Sequence, residues 1–83
     1  MGDQLGADVN WDLEIDAIGL LCPLPVLKLQ KAMRDLKRGQ ILRLLASDPA
    51  AVIDVPHYCH ASSNRLLSQE KCETHNVYLI CKS

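Results

Sequence analysis

The chain has 83 residues, with 9 basic and 10 acidic side chains, 48 % hydrophobic residues and only three aromatic ones, Trp11, Tyr58 and Tyr78. This length supports one small domain that buries about 60–65 % of its unfolded surface. The balanced charge removes any sequence-wide pull toward nucleic acid or anionic lipid, and the scarce aromatics argue against a module that stacks single-stranded RNA bases on a sheet. No apolar run approaches the roughly 20 residues that span a bilayer, and no basic segment leads into an apolar one. The expectation is a soluble, cytoplasmic domain over residues 11–83, preceded by a flexible tail over residues 1–10.

In chain order, residues 11–17 alternate Trp11, Leu13, Ile15 and Ala17 with Asp12, Glu14 and Asp16, the pattern of a half-buried strand that Gly19 ends. A helix is expected to begin at Cys22-Pro23, with Val26, Leu29, Ala32, Met33 and Leu36 on its core arc. Lys37 and Arg38 suit its C-terminus and Gly39 its stop. Residues 41–46 form an apolar run broken only by Arg43, fit for a central strand. Asp48-Pro49 and Asp54-Val55-Pro56 are two further turn signals. Pro56 would clash inside a helix, so the second helix is predicted to be short, 55–62, with Val55, Cys59 and Ser62 inward. Ser63-Asn64 ends it, Asn64 being suited to a left-handed cap.

Two strands follow, about 65–73 and 77–82, across a turn at Thr74-His75-Asn76. The order β-α-β-α-β-β predicts an α+β fold, a two-layer α/β sandwich with two helices on one face of a four-stranded mixed sheet.

Four cysteines, Cys22, Cys59, Cys72 and Cys81, permit a two-disulfide scaffold, but without a secretory signal that reading loses its main support. Zinc would have to use Cys59-His60 and Cys72-x-x-His75, and an adjacent Cys-His pair is poor ligand geometry on a helix. No metal and no cofactor is expected. Cys59, Cys72 and Cys81 read as packing residues, with Cys81 on one strand face beside Val77 and Leu79.

The stretch Asp16-Ala-Ile-Gly19-Leu-Leu-Cys22-Pro23-Leu24-Pro25 carries the chemistry. With Cys22 as N-cap, Pro23, Leu24 and Pro25 fill the first three helical positions, whose N–H groups have no helical partner. Cys22 then sits at the positive end of a helix, which would lower its pKa and favour the thiolate. The prolines delete two donors and leave the Leu24 N–H alone, a weak oxyanion hole. His57, His60 and His75 lie far along the chain, and no C-x-x-C is present to resolve a mixed disulfide. A cysteine protease, an acyltransferase and a thioredoxin-like oxidoreductase are therefore disfavoured. A single nucleophilic sulfur that accepts and releases a small group remains, and a sulfur atom carried as persulfide fits it.

Asp16-x-x-Gly19-x-x-Cys22-Pro23-x-Pro25, then Asp48-Pro49-Ala50, Asp54-Val55-Pro56 and Cys59, closely resembles the TusA (SirA-like) sulfur-carrier family, over about residues 13–82. The resemblance implies a β-α-β-α-β-β sandwich and a Cys22 persulfide that relays sulfur between proteins. Donors in such relays are a cysteine desulfurase or a rhodanese-type protein. Acceptors lie in tRNA 2-thiolation, molybdenum-cofactor and sulfur-metabolism pathways. Ser63-Asn64 stands where a Gly often ends the second helix, and Thr74-His75-Asn76 replaces the common Asp-Gly hairpin turn.

Beside Cys22, motif support falls to Asp16, Gly19, Pro23 and Pro25, while Asp16, Asp48 and Asp54 read as capping and turn residues. At 100° per residue, Lys28, Lys31, Arg34 and Arg38 share the arc of the first helix opposite its core, with Leu24 and Leu27 among them. That arc is either a solvated face or a docking stripe for an acidic partner surface or for RNA phosphates. The favoured reading is a monomeric sulfur carrier, a shuttle rather than an enzyme with its own turnover. The alternative is a regulatory RNA- or protein-binding module that uses the basic first helix.

Overall fold

The computed structural model describes residues 10–83, so the tail expected over 1–10 lies almost wholly outside the described residues. The elements are β1 (Leu13–Ala17), α1 (Leu24–Arg34), β2 (Ile41–Ala46), α2 (Ala51–Ser62), β3 (Arg65–Lys71) and β4 (Asn76–Cys81). The sheet order is β1-β2-β4-β3, parallel between β1 and β2 and antiparallel elsewhere. Both helices cover one face, as the order of elements predicts. Two successive β-α units place the starts of α1 and α2 beside the C-terminal ends of the parallel pair, and that edge holds the site.

The core follows from period-two and helical alternation meeting between the layers. Ala17 from β1, Leu42, Leu44 and Ala46 from β2, and Tyr78 and Ile80 from β4 point at Leu29 and Met33 of α1 and at Ala51, Val55 and Cys59 of α2. All are almost fully buried. Burying a Leu- or Ile-sized side chain is worth about 1.5–3 kcal/mol, so these positions carry much of the stability of so short a chain. Val77 and Leu79 are buried on the opposite face, between Leu45 and Arg43 of β2 and Glu70 and Ser68 of β3. Cys81 follows their alternation and is half-buried.

Trp11 does not join the inward row of β1. It lies before the strand, 44 % exposed, with its ring 4.5 Å from the Arg43 guanidinium, which also pairs with Glu14 at 2.6 Å. The stacked cation draws the indole toward the outer face. The first helix ends earlier than its sequence suggests, with Asp35 as C-cap. Its C-terminal carbonyl on Met33 accepts from the Lys82 ammonium at 2.7 Å, and Lys31 and Arg34 occupy its last turn, so the cations at this helix end are these and not Lys37 or Arg38. Gly39 instead takes φ +90° in a turn closed by Gln40 N–H to the Lys37 carbonyl.

The second helix is longer than predicted, and Pro56 lies inside it. Asp48-Pro49 starts the helix through a tight turn in which Ala51, Val52 and Ile53 N–H donate to the carbonyls of Asp48, Pro49 and Ala50. The ring of Pro56 deprives only the Val52 carbonyl of its donor, and Val52 is 42 % exposed, so water can take that place. Running the helix through buries Ala51 as well as Val55 and Cys59. Ser62 is not inward: it is exposed, and its hydroxyl donates back to the Tyr58 carbonyl at 2.7 Å.

Ser63, rather than Asn64, takes the left-handed cap at φ 64°. Asn64 is used elsewhere, its side-chain carbonyl accepting from the Ser83 N–H at 3.0 Å. Strand β3 is shorter than expected, ends at Lys71 and carries a bulge between Leu66 and Ser68. Asn76 belongs to β4, and the loop between is closed by Cys72 N–H to the His75 carbonyl at 2.8 Å.

A left-handed backbone at a residue with a Cβ costs about 1–2 kcal/mol, offset in part by the greater chain entropy that a glycine would lose. Ser63→Gly should therefore stabilise the protein by about 0.5–1 kcal/mol, a rise in Tm of a few degrees in a thermal melt. An unchanged or lower Tm would contradict the assigned cap.

Candidate functional site

The site is assembled on the loop between β1 and α1. Asp16 at the end of β1 accepts the Ile18 N–H at 2.9 Å, and Leu20 N–H closes a turn onto the Ala17 carbonyl. Gly19 sits in that turn with φ +87°, while a Cβ there would meet nothing within 4 Å. Backbone angle alone, not crowding, calls for glycine. Its N–H donates to the Ser47 hydroxyl at 2.8 Å, fastening the loop to the end of β2.

Cys22 follows on a second turn, in which Leu24 N–H donates to the Leu21 carbonyl at 2.8 Å and the Cys22–Pro23 peptide bond is cis. The first bond of α1 runs from Leu27 N–H to the Pro23 carbonyl, which makes Pro23 the N-cap. The helix thus starts one residue later than Cys22 as N-cap requires: Cys22 stands just outside it, Leu24 and Pro25 are its first residues, and Pro25 is buried. Leu24 N–H is taken by the turn, and with Pro23 as N-cap the third helical position is Val26, which keeps its N–H.

Two aspartates from the β2–α2 segment meet this cysteine. Asp48 accepts the Cys22 N–H at 2.6 Å through one carboxylate oxygen and the Ala50 N–H at 3.3 Å through the other. Asp54, in the first turn of α2, brings a carboxylate oxygen to 3.2 Å from Cys22 Sγ and accepts the thiol hydrogen. The sequence offers both residues as helix and turn signals, which describes Asp48 in part and misses what Asp54 touches. Asp54-Val55-Pro56 reads as a helix restart, and only the continuous α2 turns Asp54 toward a thiol 32 positions earlier.

The electrostatics reverse the expectation of an acidified thiol. The hydrogen bond to Asp54 foremost, then partial loss of water and the negative charges of Asp54 and Asp48, hold the Cys22 thiol above its ordinary pKa. A helix end acts within its first turn, and Cys22 is outside that turn with a carboxylate against its sulfur. The side chain is nonetheless exposed.

The remaining thiols are scattered. Cys59 is buried in the core, where loss of water pushes its pKa up to about 11. Cys72 is exposed in the β3–β4 loop rather than packed in the sheet, at a hollow of about 450 Å³ shared with His75, Lys71 and Ile53. Among the described residues, no three His, Cys, Asp or Glu side chains gather as metal ligands. No described helix is long and apolar enough to cross a membrane.

A groove of about 350 Å³ leads from Cys22 between the two helices, walled by Pro23 and Val26 on one side and by His57, Tyr58 and Ala61 on the other. Leu24 and Leu27 are 47 % and 49 % exposed, as their place on the outer arc of α1 predicts. Sequence reasoning missed Leu21 and Ile53, 68 % and 73 % exposed and each next to a member of the Cys22–Asp54 contact. A large apolar residue beside a motif residue was the available signal. Lys28, Lys31 and Arg34 are exposed along α1.

Comparison with known proteins places this geometry. The family model described as Sulfurtransferase TusA matches residues 13–82, from the first residue of β1 to the residue after β4. The crystal structure of a SirA-like protein from Desulfitobacterium hafniense superposes with a TM-score of 0.75 at 22 % identity, covering 84 % of this chain and 96 % of that one. At that identity the superposition speaks for the fold, with its two helices on a four-stranded mixed sheet. The family match spans every element of the site, and the chain belongs to the TusA sulfurtransferase family.

Proposed function

We propose that this protein is a sulfur carrier whose Cys22 accepts sulfane sulfur as a persulfide and passes it to an acceptor protein. The observation that carries the reading is the exposed Cys22 thiol, fixed at the mouth of a groove by two aspartates, in a chain of the TusA family. In the first half-reaction Cys22 loses its proton, and its sulfur attacks the outer sulfur of a donor protein's persulfide. A sulfur–sulfur bond forms on Cys22, the donor's own sulfur–sulfur bond breaks, and the donor leaves as a thiolate that takes up the proton. The second half repeats the exchange with an acceptor thiol. No electrons are gained or lost overall, so no cofactor is required.

The surroundings suit exchange better than acyl transfer. Pro23 and Pro25 have no N–H, and the amides of Cys22 and Leu24 are engaged by Asp48 and Leu21. That leaves few donors beside the sulfur for a tetrahedral oxyanion. A cysteine desulfurase or rhodanese-type donor, and an acceptor in tRNA 2-thiolation, molybdenum-cofactor or sulfur metabolism, are the partner classes of this reading. Leu21, Leu24, Leu27 and Ile53 supply the apolar contact such partners need, and Lys28, Lys31 and Arg34 supply complementarity to an acidic surface. On this reading the protein acts in the cytoplasm as a monomer, and does not bind nucleic acid directly.

Incubation with a cysteine desulfurase, its cofactor and cysteine should raise the intact mass by one sulfur atom, and Cys22→Ser should abolish the gain. No gain with any donor class, together with salt-sensitive RNA binding through α1, would overturn the carrier reading in favour of a regulatory module. Leu24→Asp should slow sulfur transfer between a purified donor and acceptor by about tenfold, the usual weight of a central apolar contact. It should leave the fold intact, since an acidic residue suits the first position of a helix. Unchanged transfer would remove Leu24 from the docking surface.

A further inference from the structure

The carrier reading leaves one side chain without a role. Asp54 lies in the first turn of α2, yet it does not cap that helix: the N-cap is Ala50, which has no side-chain cap, and Asp54 N–H is itself bonded to the Ala50 carbonyl. The one hydrogen bond its carboxylate makes among the described residues is with Cys22 Sγ, at 3.2 Å. It has no basic partner among the described residues, where the one ion pair is Arg43–Glu14.

We propose that Asp54 is a positioning residue that holds Cys22 as a thiol between encounters, so that the empty carrier is slow toward small electrophiles and oxidants. The inference rests on Cys22 being the sulfur-bearing residue, and it adds a resting state to that role. The thiolate is the nucleophile in exchange, alkylation and oxidation alike. A carboxylate that accepts the thiol hydrogen stabilises the protonated form, and its charge opposes the thiolate. An exposed cysteine is thereby kept quiet without being buried.

The two charged side chains bonded to Cys22 agree in sign. From the β2–α2 segment come Asp48 and Asp54, both acidic. From α2 come His57 and Tyr58 along the groove, and from α1 only the uncharged Pro23 and Val26. Lys28 and Lys31 border a different hollow, against Leu13 and Ile15 of β1. A protonated His57 would favour the thiolate and so act against the two aspartates, but it lies along the groove and makes no hydrogen bond to Cys22. Reactivity of Cys22 should therefore rise with pH and reach its midpoint above that of an ordinary thiol.

The test is the rate of Cys22 alkylation by iodoacetamide across neutral and alkaline pH, read on the Cys22 peptide of the full chain. Asp54→Asn keeps the shape and removes the charge. Its midpoint should fall and its rate at neutral pH should rise, by about three- to fourfold for each unit of the fall, because the thiolate fraction grows about tenfold while each thiolate becomes less nucleophilic. Asp48→Asn, which alters a bond to the backbone and not to the sulfur, should shift the midpoint less. Circular dichroism establishes that both variants are folded. An unchanged or higher midpoint in Asp54→Asn would overturn the role given to Asp54, and a larger shift in Asp48→Asn would assign it to the wrong aspartate. Sulfur uptake from a donor, measured on the same samples, separates the two claims. Wild-type protein that takes up no sulfur overturns the carrier reading, whatever the alkylation profile shows.

Discussion

The site depends on a short bridge between distant parts of the chain: two carboxylates six positions apart grip one cysteine, one by its amide and one by its sulfur. Everything else serves to bring them together. Parallel pairing of β1 with β2 aligns Ala17 with Ala46, so the loops leaving both strands emerge side by side. Ser47 then fastens Gly19, and Asp48 fastens Cys22. The continuation of α2 through Pro56 carries Asp54 to the thiol. A two-layer fold of this size has little interior to spare, and the site uses none of it. It is built on the rim, where backbone amides and short acidic side chains can fix a loop at small cost in buried surface.

Much of the fold was legible because the sheet writes its periodicity openly. Leu42, Leu44 and Ala46 alternate with Ile41, Arg43 and Leu45, and Leu29 and Met33 fall one helical turn apart, so the layers and their facing surfaces follow from spacing. The misreadings arose where local preference met tertiary packing. Pro56 breaks an isolated helix, but a solvent-facing carbonyl at Val52 and an inward Ala51 make the longer helix the better structure. Trp11 fits the inward alternation until Arg43 offers its face to the ring. Cys22 and its motif stood out for a local reason, two prolines and a glycine that constrain one turn. The partners that set its chemistry are 26 and 32 residues away, and no short-range pattern reveals them.

That difference changes the chemical picture. A thiol at a helix N-terminus suggests a sulfur made reactive by its own fold. A thiol outside the helix, bonded to a carboxylate, suggests a sulfur kept in reserve on an exposed surface. For a carrier that meets several proteins, the second is the more useful property, because an indiscriminate thiolate would be lost to oxidation between partners. Exposed leucines and isoleucine lie near the sulfur, with a basic helix face alongside, and on the proposed reading they would supply the recognition that reactivity alone does not.

Two of the four thiols are exposed, Cys22 and Cys72, and only Cys22 is gripped by the aspartate bridge. The most direct test of this account is therefore to load the full chain from a persulfide donor, block the free thiols, and map the sulfane sulfur peptide by peptide. The account predicts the added sulfur on the Cys22 peptide and none on the Cys72 peptide. Equal loading of both, or loading of Cys72 alone, would contradict it.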